Sequence, residues 1–161
     1  MARAYNFSAG PAALPLEVLQ DAQKDLVDYK GTGMSVMEMS HRGKDYDAIH
    51  QEAIATFKEL CGLNDDWSVC FIQGGASMQF GMIPMNFLGN GQVADYANAG
   101  TWSNKAIKEA KRYGEVEVIA SSEDKNFNYI PKFEAPKDVD YLHITSNNTI
   151  YGTEYHYDVD A

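Results

Sequence analysis

The segment at residues 67–80, WSVCFIQGGASMQF, is the one around which the rest of the chain is read. An apolar run closes on two glycines, followed by a small residue, a hydroxyl and a stretch able to start a helix. A strand is expected over residues 68–73, ending at a sheet edge. Gly74 and Gly75 can take positive φ and present their N–H groups with no Cβ in the way. A helix starting near Ala76 and Ser77 would aim unpaired N–H groups and its positive end at the same point, where Ser77 adds a hydroxyl donor. The segment reads either as a cup for a phosphate or as an ordinary strand–turn–helix junction, and taken alone it does not separate the two.

Upstream, residues 1–14 read as an extended arm, with Tyr5 and Phe7 alternating with polar neighbours and Gly10-Pro11 closing the run. Pro15 suits the first turn of a helix. Val18, Leu19, Ala22, Leu26 and Tyr29 then share one apolar face, which Gly31 and Gly33 end. A Met-rich stretch, residues 34–42, leads into His41-Arg42-Gly43. A second helix is expected from about Asp45 to Cys61, burying Ile49, Ala53, Phe57 and Leu60 and capped by Gly62.

Downstream, residues 76–88 have helical periodicity, although Pro84 should kink or break the run. Strands are expected at 92–98, 115–120 and 141–145. A helix runs through Tyr113 with Ala106, Ile107 and Ala110 facing inward, and residues 121–138 form a polar surface excursion. Strands alternating with helices predict an α/β fold with a largely parallel sheet. Such sheets bind ligands at the carboxyl ends of their strands. Three loops converge there, at residues 74–77, 98–103 and 146–149, and that convergence favours the phosphate cup.

The 161 residues suit one ordinary domain able to bury a core. With 45% hydrophobic and 22% charged residues the composition is globular, and the net charge of -10 argues against nucleic acid or an acidic membrane as partner. No apolar run is long enough to span a bilayer, and the N-terminus has no apolar leader core, so neither membrane nor secretory signal is expected. Cys61 and Cys70 stand at no metal-ligand spacing; both are expected to be reduced core residues in a cytosolic protein, and no metal site is expected. Dinucleotide, P-loop, zinc-protease and serine-hydrolase signatures are absent.

Trp102, between a strand end and a helix, can stack on a flat ligand or serve as a core or rim tryptophan. Thr149, after two asparagines, offers a hydroxyl at a third strand end or simply a polar turn. His41-Arg42 can clamp a carboxylate or phosphate through the guanidinium fork, or form a surface turn. His143 reads as strand-borne and carries no assigned role.

The segments YNFSAGPAALP (5–15), SVMEMSHRGKDY (35–46), FIQGGASMQF (71–80), ADYANAGTWSNKAIKEAKRYG (94–114) and TSNNTIYG (145–152) resemble the phosphoserine aminotransferases in order and spacing. The resemblance implies part of the large domain of a fold-type-I pyridoxal-phosphate transferase, with residues 1–15 as an arm belonging to the small domain and 16–161 as the N-terminal part of the large domain. It implies amino transfer between glutamate and 3-phosphooxypyruvate, giving O-phosphoserine. A cytoplasmic homodimer is implied, and a pyridoxine-pathway substrate is left open. Carried over by position, Ala76 and Ser77 hold the phosphate of pyridoxal 5'-phosphate, Trp102 stacks on its ring, Thr149 bonds near the ring hydroxyl or phosphate, and Arg42 with His41 binds the acidic groups of the substrate. The family's Schiff-base lysine and the aspartate facing the pyridine nitrogen fall beyond Ala161. The chain alone is therefore expected to be inactive, with the C-terminal part of the same protein as its partner. Two other readings stay open: a fragment that only binds phosphate or the cofactor, and a related aminotransferase with another substrate.

Overall fold

The computed structural model describes residues 3–8 and 10–159. The chain divides into two compact units, Met1–Phe71 and Ile72–Ala161.

The first unit holds two helices. α1, Leu16–Asp25, starts after Pro15, and α2, Lys44–Cys61, ends on Gly62 in the left-handed conformation. There the N–H groups of Gly62 and Leu63 return to the carbonyls of Glu59 and Lys58. That closes a glycine C-cap, which a Cβ at φ 64° would strain. A single 3₁₀ turn, Val36–Glu38, is held by a capping box between Ser35 and Glu38, a serine and a glutamate three apart. The arm is not extended throughout: Asn6 Nδ2 donates to the Pro11 carbonyl, and Arg3 Nη1 to that of Leu14, which folds it into a loop.

Several expectations fail in this unit for one reason, the lack of a covering neighbour. The apolar face of α2 is present, but Phe57 and Leu60 are 49% and 81% exposed. Cys61 and Cys70 are exposed thiols rather than core residues. The strand expected over residues 68–73 does not form, because a strand is defined by its ladder and no described residue pairs with this segment.

The second unit is an α/β layer. Helix α3, Gly75–Phe87, runs through Pro84 without a break. Strand β1, Val93–Asn98, leads into α4, Thr101–Ala110, and then into β2, Glu115–Ser121. β3, Tyr141–His143, completes a three-stranded parallel sheet in the order β2-β1-β3. A short antiparallel pair, β4 (Asn147–Asn148) and β5 (Thr153–Glu154), stands where only a loop is expected from sequence.

The core forms where Ala94 and Tyr96 of β1 meet Ala106, Ile107 and Ala110 of α4, with Leu88 closing one end and Phe80, Val116 and Tyr141 packed around it. Three alanines at this contact let helix and strand approach closely, and Tyr96 is the bulkiest buried side chain of the cluster. The long excursion after β2 is brought back into register by Asp140. Its carboxylate accepts from Val93 N at 2.9 Å and Gln92 Nε2 at 3.0 Å, while its own N–H donates to the Val93 carbonyl. β3 therefore pairs Ala94 with Tyr141 and Tyr96 with His143.

Gly100 joins β1 to α4 at φ 152°, and a Cβ there would lie 2.5 Å from Asn148 Oδ1 and 3.0 Å from Tyr151 Cδ2. Gly100→Ala is expected to destabilise the protein by about 2–4 kcal/mol, from backbone strain and overpacking together. Urea denaturation of the variant checks this; an unchanged midpoint would mean that the Asn148 loop yields freely.

Candidate functional site

The carboxyl ends of β1 and β3 and the N-terminus of α3 open onto one cavity of about 540 Å³. That size suits a small cofactor or substrate. Its wall includes Gly74, Gly75, Ala76, Ser77, Phe80, Trp102, His143 and Thr149.

At the α3 end, Gly74 and Gly75 both have positive φ, 91° and 57°, and a Cβ on Gly74 would collide with the Met78 side chain. Only glycine makes this turn cheaply. No side chain caps α3, and the first backbone bond back to the turn is from Met78 N to the Gly74 carbonyl at 3.3 Å. The N–H groups of Gly75, Ala76 and Ser77 are thus left with no protein acceptor among the described residues. Together with the helix dipole they make a positive, hydrogen-bonding end that suits an anion.

The α4 end is built differently. No residue adjacent in sequence caps it; instead Asn148, on β4, places Oδ1 3.3 Å from the Trp102 N–H and so serves as a cap brought in by the fold. The next residue, Thr149, accepts from Trp102 Nε1 at 3.1 Å. The indole is held at its backbone and at its ring edge by two consecutive residues of one strand end. Behind it, the Ser103 hydroxyl accepts from Ala99 N at 3.2 Å and fixes the turn.

His143 lies on the wall between these ends. Its ring stacks on Tyr96 at 4.7 Å between centroids and meets the edge of Phe80 at 6.2 Å. Its Nε2 is 3.4 Å from Thr145 Oγ1. Burial lowers its pKa to about 4, so the imidazole is neutral at neutral pH. Tyr96 in turn shares a hydrogen bond of 2.8 Å with the Tyr141 hydroxyl, and burial followed by that bond raises its pKa. Among the described residues no carboxylate, lysine or arginine lines the cavity. An anion entering it meets a helix N-terminus and no opposing charge.

Ala76, Ser77, Trp102 and Thr149, singled out from sequence, lie together on this wall. His41 and Arg42 belong to the other unit, where both are exposed and Ser40 Oγ accepts from Arg42 N at 3.2 Å. Sequence reasoning missed Phe80 and His143 as wall residues and Asn148 as a cap. The only available signal for His143 was its place at the end of a strand. Among the described residues no cluster of three or more side chains could hold a metal ion.

Residues 4–159 match the family described as aminotransferase class-V. The chain belongs to the class-V aminotransferase family. Within it, the chain is 57% identical over 155 residues to the phosphoserine aminotransferase of Desulfosudis oleivorans, covering 95% of this chain and 43% of that protein. Against the phosphoserine aminotransferase of Bacillus subtilis it is 53% identical over 157 residues, 96% and 44% of the two chains. The solved phosphoserine aminotransferase from Bacillus circulans subsp. alkalophilus superposes with a TM-score of 0.91 at 55% identity, over 98% of this chain and 45% of that one. A pyridoxal-phosphate-bound phosphoserine aminotransferase from Trichomonas vaginalis gives 0.89 at 38% identity, over 99% and 46%. The chain therefore spans less than half the length of these relatives.

A neutral buried histidine has a consequence for stability. Its folded pKa, about 4, lies below the ordinary 6.5, so between those values the unfolded chain binds the proton and the folded chain does not. Stability is unaffected above pH 6.5 and falls as pH drops through this window, by on the order of 3 kcal/mol. Urea melts at several pH values are expected to show a shallower acid slope for His143→Gln than for the parent. Identical slopes would mean that the imidazole is hydrated in the folded state.

Proposed function

We propose that this chain forms the N-terminal portion of a phosphoserine aminotransferase that uses pyridoxal 5'-phosphate. The reaction is reversible amino transfer between glutamate and 3-phosphooxypyruvate, giving O-phosphoserine and 2-oxoglutarate. The observation that supports it most is the convergence of the α3 N-terminus, the Trp102 indole and the Thr149 hydroxyl on one cavity, in a chain more than half identical to proteins of that name.

The donor set fits the cofactor. Unpaired N–H groups and a serine hydroxyl suit a phosphate dianion, an indole suits a flat ring, and the wall carries no carboxylate to repel either. When bound, the cofactor supplies the electron-accepting ring that lets an amino group leave one substrate carbon and join another. The Ala76 and Ser77 N–H groups and the Ser77 hydroxyl bind the phosphate. Trp102 orients the ring by stacking. Thr149 accepts from the indole N–H, which leaves its own hydroxyl proton to donate toward the ring oxygen or the phosphate. His143 and Phe80 keep water from the wall without adding charge. Arg42, assisted by His41, binds the acidic groups of the substrate, for which the planar guanidinium is suited.

No lysine is among the residues lining the cavity. The amine that links to the cofactor, and the carboxylate facing its ring nitrogen, are assigned to residues outside these 161. On that assignment the 161 residues by themselves bind without turnover. The reading extends to a cytoplasmic homodimer serving serine biosynthesis, with pyridoxine biosynthesis as a second use of the same phosphate recognition.

In the full-length protein, glutamate-dependent formation of O-phosphoserine is expected, and its absence would sink the assignment. Arg42→Ala is expected to lower kcat/KM for the phosphorylated substrate by roughly 10- to 100-fold. Ser77→Ala should weaken binding of the cofactor by about tenfold. An unaltered kcat/KM in the arginine variant would remove the clamp while leaving the cup intact.

A further inference from the structure

Trp102 and Lys105 stand three residues apart on α4, a spacing that puts two side chains on one helix face. The Lys105 ammonium lies 4.4 Å from the centroid of the Trp102 ring, well within cation–π reach. Trp102 lines the cavity and Lys105 does not. Lys105 instead lines an adjoining groove with Ser77, Phe80, Lys108 and Glu109, which shares Ser77 and Phe80 with the cavity but does not include Trp102. The ammonium thus packs on the indole without itself lining the cavity. The bond from Trp102 Nε1 to Thr149 fixes the ring edge but leaves the plane free to tilt about that bond. A cation over one face removes this freedom. Among the described residues Lys105 makes no ion pair that would hold it elsewhere.

We propose that Lys105 is a positioning residue for Trp102, steadying the indole through the cation–π contact so that the ring is presented flat to a ligand ring in the cavity. This rests on the reading of the cavity as the pyridoxal-phosphate site. Lys105 does not line the cavity; it acts through the indole.

The test is equilibrium binding to the full-length protein freed of cofactor, with pyridoxal 5'-phosphate and, separately, phosphate-free pyridoxal as probes. Lys105→Met keeps an unbranched stem and removes the charge, and Lys105→Arg restores the cation. Lys105→Met is expected to weaken both probes alike, by about two- to fivefold, and Lys105→Arg to bind as the parent does. In a Trp102→Leu background, Lys105→Met should add no further loss. Because Lys105 is exposed, its variants should melt with the parent. Equal affinity of Lys105→Met and the parent, or a loss that persists without the indole, would overturn the positioning role and leave the cavity reading standing. A loss confined to the phosphorylated probe would also overturn it, since the charge would then act on the anion directly. A parent protein that binds neither probe would overturn the cavity reading and this inference with it.

Discussion

Strand β1 is buried along almost its whole length, and the site depends on that burial. Ala94, Tyr96 and Ala97 are each 1% exposed or less. A strand covered on both faces with a hydrogen-bonded neighbour on each side has little freedom to shift register, because a slip would break both ladders and force every buried side chain to repack. Its carboxyl end is therefore a fixed point. The small side chains where β1 meets α4 set the helix close against the sheet, and Gly100 makes a turn tight enough to bring Trp102 beside that fixed point. β3, bound to the same strand, ends at His143 and sends the following residues past the N-terminus of α4.

The electrostatics follow from where charges are absent. A chain of net charge -10 would repel a phosphate at most of its surface. The cavity wall escapes this because it is made of backbone N–H groups, hydroxyls, aromatic rings and an imidazole that burial keeps neutral. The attraction comes from the start of α3, where the turn of two glycines leaves donors unpaired. An anion held by backbone dipoles needs no lysine or arginine on the wall, so the local preference can oppose the sign of the whole chain.

Much of the second unit was legible in the sequence, and the reasons are local. Periodicity placed α3, β1, α4 and β2 to within a few residues, and the alternation of strands with helices predicted a parallel sheet, as observed. Ala106, Ile107 and Ala110 face inward as their spacing implies. The first unit was less legible, since an amphipathic pattern records which face is apolar and not whether anything covers it. Phe57, Leu60, Cys61 and Cys70 were expected inside and are exposed. The run at 68–73 has strand composition but no partner among the described residues, and composition cannot supply one. The two glycines of Gly74-Gly75 were a sound sign of a turn because their requirement is set by φ alone.

What the sequence determined by itself is whatever depends on neighbours along the chain: the helices, the glycine turn that opens α3, the capping box at Ser35, and the donors of Ala76 and Ser77. What only the tertiary structure decided is whatever needs residues far apart. Asn148 caps a helix that begins far earlier in the chain, at Thr101. Thr149 meets the indole, and His143 loses its charge because Tyr96 and Phe80 enclose it. Hydrogen bonds and desolvation act over a few ångströms of space, and only the parallel pairing of β1 with β3 converts that long separation along the chain into such a distance.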